Sequence, residues 1–174
     1  MKSTELYALL KSDLGSWFKS ADFKRTKGFL SWSRSRGGAS TVVWFQASRD
    51  GWDAFAGSKF VVEFQRSAEP VPGAHPARRM RIASLLSAPA REEMRALQNS
   101  VITSLTPPPD SHHALHVSEN VTAWYRKKFV LDALPYSDGD DVWLRYAAPD
   151  HAREWSRFLL QHLPACVASA ESWA

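Results

Sequence analysis

The stretches VVWFQAS (residues 42–48) and VVEFQRS (residues 61–67) decide the fold class that this sequence predicts. Large apolar side chains stand at alternate positions in both, which is the period of a β-strand with one buried face. Val43 and Phe45 share one face of the first stretch, and the second stretch repeats the arrangement. We interpret the likeness as a shared two-faced pattern, because a repeat architecture needs a period that is sustained over several copies.

The opposite faces of these two stretches carry a strip of aromatic and polar side chains. Its members are Trp44, Gln46, Ser48, Glu63, Gln65 and Ser67. Binding surfaces on proteins are enriched in aromatic side chains and place polar groups around them. We therefore predict that this partner-binding strip contacts another protein.

Helix and strand patterns on both sides of these stretches predict an α+β domain. An apolar stripe at Leu6, Leu10 and Leu14 predicts a helix over residues 4–20. The segment FLSWSRSR ends at a Gly-Gly pair, which predicts a hairpin with the strand that follows. Further helices are predicted after Pro89 and Pro149, and a short strand is predicted at VWLRYA.

Two other segments complete the predicted layout. Residues 69–80 are rich in proline and glycine and are predicted to form an internal loop. Residues 117–131 fit a helix by spacing and a strand by their aromatic and β-branched content, and we favour the strand. The fold class is therefore α+β, with an antiparallel sheet packed against helices in a single domain of residues 1–174.

Composition restricts the cellular setting and the kind of partner. The chain has 174 residues, and its single cysteine, Cys166, excludes an internal disulfide and a zinc site built from cysteines. It lacks an apolar stretch near the ~20 residues of a membrane helix, and its start lacks a signal sequence, so we expect a cytoplasmic protein. Residues 1–100 carry a net charge of +7 and the remainder carries −3, which favours an acidic partner for the first part.

A basic cluster near the start of the predicted sheet supports an alternative function. It consists of Lys24, Arg25, Lys27, Arg34 and Arg36, with Phe29 and Trp32 between them. Cations beside aromatic rings can hold phosphates and stack on bases. The parity of the strand places Trp32 in the core, so the nucleic-acid alternative depends on the five cations.

The aromatic strands and their neighbours resemble a known bacterial family. A first helix, the segment ADFKRTKGFLSWSRS, and the strands VVWFQAS and KFVVEFQRS resemble the family catalogued as domain of unknown function 4304. The segment RRMRIASLL, which contains Arg78, Arg79 and Arg81, and the late VWLRY strand are looser matches. Asp22 stands where that family usually has glycine. The resemblance implies an α+β domain with an antiparallel sheet and lends no activity, while size and class suggest an immunity protein that neutralises a toxin.

Motifs for catalysis and metal binding are weak in this sequence. GWDAFAGSK lacks the spacing of a phosphate-binding loop and leads into a predicted strand. The segment HHALH is expected to be a solvated loop, DGDD is expected to be a turn, and Cys166 near His162 is expected to pack in the core. We therefore predict no catalytic residues, metal site or cofactor, and a hydrolytic enzyme remains the third hypothesis after protein and nucleic-acid binding.

Overall fold

A computed structural model describes residues 1–132 and 142–173 and shows an antiparallel sheet packed against helices. The strands are β1 (Lys24–Arg25), β2 (Leu30–Arg36), β3 (Ala39–Ala47), β4 (Ser58–Ser67), β5 (Pro76–Arg81) and β6 (Leu144–Tyr146). The helices are α1 (Ser3–Ser20), α2 (Ala88–Ser104), α3 (Glu119–Arg126) and α4 (Pro149–Glu171). The α+β class and the single compact domain are confirmed.

The sheet has the order β1-β2-β3-β4-β5, and β6 pairs with the first residues of β4. The predicted hairpin joins β2 to β3, and Gly37 and Gly38 adopt φ angles of 61° and 78° at its turn. Two consecutive positive φ angles are the requirement of a type I′ turn, which glycine meets without steric cost. Strand β4 is therefore central, with β3 on one side and both β5 and β6 on the other.

The apolar face of the sheet packs against α1 and α4. Val43, Phe45, Val62 and Phe64 lie in one core cluster with the leucine stripe of α1. Trp32 also lies in this core and stacks on Phe18, with ring centroids 4.2 Å apart. The alternation read from residues 42–48 and 61–67 thus gives the observed apolar face.

The second face of the sheet is also covered. Ser31, Val42, Val61 and Gln65 alternate with the core residues and are each at most 1% exposed. Residues 68–75 fold back over this face, and an added Cβ at Gly73 would lie 4.0 Å from the Trp44 ring. The sequence indicated a sheet with one solvated face, and this loop covers that face at Gln65.

Two segments differ from the sequence-based expectation. Residues 76–81 form β5, so the predicted loop at residues 69–80 is shorter, because a proline at the first position of an edge strand leaves the ladder intact. Residues 119–126 form α3 where we favoured a strand. The Ser118 hydroxyl accepts a hydrogen bond from the Val121 amide and begins this helix, and Tyr125 is its buried residue.

No helix within residues 1–132 and 142–173 has the length and apolar character needed to cross a membrane. The predicted turn at residues 138–141 lies outside the described residues.

Candidate functional site: a cationic pocket beside the sheet

A cavity of about 140 Å³ lies where the beginning of β4 meets β6 and α3. Four cationic side chains line it, together with one carboxylate and one tryptophan. These residues are Lys59, Lys127, Lys128, Arg145, Asp50 and Trp124, and we call the site the cationic pocket. Its lining comes from three separate parts of the chain.

Strand pairing brings two of the cations together. In the antiparallel ladder between β4 and β6, Lys59 is paired with Arg145. Directly paired residues of a ladder point to the same face, so both side chains project from one side of the sheet. The Arg145 guanidinium also donates to the carbonyl oxygen of Lys128, which brings the turn after α3 against the strands.

A partly buried hydrogen-bond cluster holds α3 against the loop that leads into β4. The Tyr125 hydroxyl donates to Asp53 Oδ1 at 2.9 Å, and the same oxygen accepts from the backbone amides of Phe55 at 2.9 Å and Ala56 at 2.7 Å. Burial opposes ionisation of Asp53, but these bonds and Lys128 outweigh it, so its pKa is lowered. Burial and the neighbouring Asp53 raise the pKa of Tyr125, which stays a protonated donor.

Close packing at Gly57 sets the approach of the loop to β6. Gly57 has a φ angle of 67°, and an added Cβ would lie 2.3 Å from the Tyr146 carbonyl oxygen. Its backbone exchanges two hydrogen bonds of 2.9 Å with Asp53. A side chain at this position would force β4 and β6 apart, so glycine is required for the floor of the pocket.

The pocket carries an excess of positive charge. Lys59 Nζ lies 3.1 Å from Asp50 Oδ2, which is the carboxylate of the lining. Lys128 Nζ lies 4.0 Å from the centroid of the Trp124 ring and 5.2 Å from that of Tyr125. Burial lowers the pKa of Lys128, with Lys59 and Arg145 adding to the effect and Asp53 and Asp50 opposing it. An anion in the pocket would therefore be attracted electrostatically, because the lining holds four cations and one carboxylate.

The structure divides the predicted partner-binding strip into two parts. Trp44, Gln46 and Ser48 are partly exposed, and Ser48 lines the cationic pocket. Glu63, Gln65 and Ser67 are 6%, 1% and 2% exposed, so they are not available to a partner. The first three residues are accessible and their role in partner binding stays a prediction, whereas the last three are corrected to internal residues of the fold.

Gln65 fixes the loop that covers the second face of the sheet. Its amide nitrogen donates to the Val71 carbonyl oxygen and to Ser67 Oγ, both at 2.9 Å, and its amide oxygen accepts from the Gly73 backbone amide at 2.9 Å. Ser67 Oγ in turn donates to the Glu69 carbonyl oxygen at 2.7 Å. Glu63 forms an ion pair with Arg79. The polar residues of β4 thus bind their own chain.

The exposed part of the strip opens into a second depression of about 540 Å³. It lies between α1 and the end of β3. The residues that define this aromatic groove are Tyr7, Lys11, Arg25, Phe29, Trp44 and Gln46. The groove therefore joins the predicted partner-binding residues Trp44 and Gln46 to a member of the predicted nucleic-acid cluster.

All five predicted nucleic-acid residues line one further depression of about 680 Å³, which we call the basic groove. Lys24 and Lys27 are exposed there, and Arg36 lies 3.7 Å from Asp22 in a solvent-exposed pair. Two of the arginines have internal partners. Arg34 lies 2.8 Å from Glu171 and donates to the Ala21 carbonyl oxygen, with 11% of its side chain exposed.

Arg25 donates from Nη1 to the carbonyl oxygens of Thr26, Phe29 and Ser31. Arg34 is therefore corrected to a residue that stabilises the fold, whereas Arg25 is held at the junction of the basic and aromatic grooves.

Histidine and cysteine side chains have local structural partners. His112 stacks on Tyr125 with ring centroids 5.3 Å apart, and His162 lies 2.9 Å from Glu93. Cys166 is buried, and this burial raises the pKa of its thiol to about 12. Within residues 1–132 and 142–173, no group of three or more His, Cys, Asp or Glu residues could hold a metal ion.

The cationic pocket was missed by the sequence analysis because its cations are far apart along the chain. One signal was present: GWDAFAGSK contains Gly51, Gly57, Ser58 and Lys59, which all line the pocket. The prediction that this segment is not a phosphate-binding loop agrees with the structure, since the segment leads into β4 and not into a helix.

Comparison of the chain with protein family models, curated proteins and solved structures found no match. The resemblance to domain of unknown function 4304 therefore stays a prediction.

Proposed function

We propose that this protein is a non-enzymatic binding module that captures an acidic group of another protein in the cationic pocket. The observation that carries the proposal is the set of four cations around a single lining carboxylate. Lys128 is partly desolvated in this lining, so an added negative charge would stabilise its charged form. Such a site attracts an acidic partner over a distance and fixes its orientation on contact.

The size of the pocket favours one anionic group of a larger molecule. A cavity of about 140 Å³ is smaller than the ~300–1,000 Å³ of sites that enclose a whole small molecule. A single carboxylate side chain fits this space better than a nucleotide. The pocket would then serve as the anchor point of a wider contact.

Exposed apolar side chains on the flanking segments support a protein partner. Trp52 and Trp124 are 44% and 49% exposed, and Val130 and Leu131 are 60% and 55% exposed. Tryptophan at the centre of a polar surface is typical of binding hot spots. We propose that the contact extends to Ser48, which directly follows β3 and lines the pocket. Toxin neutralisation in the bacterial cytoplasm is the most concrete form of this hypothesis.

Lysine side-chain NMR tests the proposal directly. The Cε resonances of Lys59 and Lys128 would be followed during titration with an acetylated hexaglutamate peptide and, separately, with a six-nucleotide oligothymidylate. We expect saturable shifts with the peptide. Lys128→Gln should weaken binding by about tenfold, and Asp50→Asn should strengthen it, because each changes the charge of the pocket.

Lys19→Gln is the matched control, since Lys19 is an exposed lysine at the end of α1 outside the pocket. Equal losses in Lys19→Gln and Lys128→Gln would show a general charge effect and contradict the proposal. Saturable shifts of the Lys59 and Lys128 resonances with the oligonucleotide, and none with the peptide, would also overturn the proposal.

A nucleic-acid partner is the second candidate, because Lys24, Lys27 and Arg36 are exposed in the basic groove. Binding to a phosphate backbone releases counterions, so affinity would fall steeply with salt. Lys24→Gln and Lys27→Gln should then reduce both the affinity and its salt dependence, as measured by fluorescence anisotropy. An affinity that is unchanged in both variants would exclude this groove.

A further inference from the structure

The aromatic groove exists because β3 is longer than its neighbour. Leu30 at the start of β2 is paired with Phe45, so the last residue of β3, Ala47, extends past the β2 ladder. The Ala47 amide donates to the Tyr7 hydroxyl at 2.8 Å in place of a strand partner. Gly28 lies in the turn before β2 with a φ angle of 81° and lines the open side of the groove.

Aromatic rings form the walls of this groove. Phe29 and Trp44 meet edge to face with centroids 5.6 Å apart, and Phe29 is 42% exposed. The volume of about 540 Å³ lies within the ~300–1,000 Å³ range of small-molecule sites. An exposed phenylalanine beside a tryptophan is a platform on which a planar ring can stack.

The charged side chains that line the aromatic groove are both cations. They are Lys11 and Arg25, and no aspartate or glutamate lines the groove. Within the described residues, Arg25 forms no ion pair, and its hydrogen bonds to backbone carbonyl oxygens are donated from Nη1. Burial lowers the pKa of Arg25, yet an arginine stays protonated at neutral pH. The groove therefore holds a positioned positive charge without a counter-ion from residues 1–132 and 142–173.

Polar groups at the groove are available to a ligand. Gln46 is partly exposed and lines the groove, so its side-chain amide is accessible to a ligand there. An amide side chain offers both a donor and an acceptor, which suits the edge of a heterocyclic base.

We propose that the aromatic groove binds a nucleotide unit. Its base stacks on the exposed Phe29 ring with Trp44 against its edge, and its phosphate lies against Arg25 and Lys11. The Gln46 amide contacts the edge of the base. Arg25 also lines the basic groove, so the phosphate would stand where the two grooves meet. This site is separate from the cationic pocket, and it does not depend on the function proposed there.

Isothermal titration calorimetry with defined probes tests this proposal. The probes are adenosine monophosphate, thymidine monophosphate, adenosine and inorganic phosphate. We expect each nucleotide to bind at least about tenfold more tightly than adenosine or phosphate alone, because only a nucleotide combines a ring with a charge. Nucleotide binding no tighter than phosphate binding would overturn the proposal.

Two surface variants locate the site, and one provides a matched control. Phe29→Ala should remove stacking and Lys11→Gln should remove charge, and each should weaken nucleotide binding by roughly fivefold or more. Lys19→Gln changes an exposed lysine on the same helix that does not line the groove and should bind as the unchanged protein does. Equal affinities in all three variants would contradict the assignment. Lys128→Gln should not affect this binding, which separates the outcome from that of the cationic pocket.

A comparison of free nucleotide and single strand identifies the source of the ligand. A six-nucleotide oligothymidylate that binds about tenfold more tightly than thymidine monophosphate, with an affinity that falls in Lys24→Gln, would support a nucleic-acid strand spanning both grooves. Equal affinities for the two probes would support a free nucleotide. Failure of both probes to bind would overturn the proposal.

Discussion

The hydroxyl of Tyr125 on α3 donates to the carboxylate of Asp53 in the loop before β4, at 2.9 Å. The two residues are 72 positions apart in the sequence, and their contact joins the two segments that carry the pocket residues Asp50 and Lys128. The lysines that follow Tyr125 are therefore positioned by a hydrogen bond to a charged group and not by helix propensity alone. Pocket geometry and local stability are linked through this one contact.

Tyr125→Phe should lower the free energy of unfolding by about 1.5–3 kcal/mol, the usual contribution of a hydrogen bond to a charged group. The pKa of Asp53 should rise toward its ordinary value, because one of the bonds that lower it is lost. Urea unfolding and carboxylate NMR titration measure the two effects. Unchanged values of both would show that the contact contributes nothing.

His151 should make stability dependent on pH. Its Nδ1 accepts from the backbone amides of Ala147 at 3.1 Å and Ala148 at 3.3 Å, so the neutral ring is the form that fits. Burial lowers the pKa of His151 below its ordinary 6.5, with Glu154 and Asp150 opposing the effect. The neutral His151 ring therefore contributes to the free energy of unfolding above pH 6.5. This contribution is lost as the pH falls through the lowered pKa of His151 in the folded protein.

Unfolding of the protein at a series of pH values from about 8 to 5 measures this dependence. His151→Asn is the matched variant, because its amide oxygen can accept the same backbone bonds without titrating. Its stability should change less over this range. An equal slope in both proteins would assign the dependence to other groups.

Asp22→Gly should stabilise the fold. Asp22 has a φ angle of 62°, and no other non-glycine residue within residues 1–132 and 142–173 has a positive φ angle. Glycine adopts this conformation without the cost of about 1 kcal/mol that a side chain carries. The ion pair with Arg36 at 3.7 Å is solvent-exposed and contributes little. Thermal unfolding measures the gain, and Asp22→Ala should be less stable than Asp22→Gly; the reverse order would contradict this account.

Gln65→Ala should lower the free energy of unfolding by about 2 kcal/mol or more, since a buried amide and the loop that it holds lose their partners. Gln46→Ala is the matched control, because Gln46 is the same residue type on the neighbouring strand but is partly exposed. That change should be nearly neutral for stability. Hydrogen exchange of residues 68–75 would report the loosened loop. Unchanged stability together with weaker partner binding would restore the role that the sequence analysis gave to Gln65.

Local patterns predicted the parts of the fold that depend on neighbouring residues. The leucine stripe of α1, the hairpin at Gly37 and the core position of Trp32 all follow from periodicity and turn chemistry. Alternation also separated the two faces of β3 and β4. It could not show that residues 68–75 would cover the second face, because that contact depends on where a loop returns.

Long-range pairing explains the other differences. The strand propensity of residues 117–131 was overridden by the cap at Ser118 and the burial of Tyr125. Lys59 and Arg145 meet only through the pairing of β4 with β6, which no local window contains. Residue spacing along the chain therefore could not predict the cationic pocket, although its glycine-containing segment, residues 51–59, is visible in the sequence.

The pairing of β4 with β6 has a consequence for synthesis of the chain on the ribosome. Strands β2 to β5 can associate while the later residues are still being added, but Arg145 arrives only just before the last helix. A nascent chain would expose the unpaired edge of β4 at Ser58 and Lys59 until then. The cationic pocket would consequently form only after residues 144–146 have been synthesised.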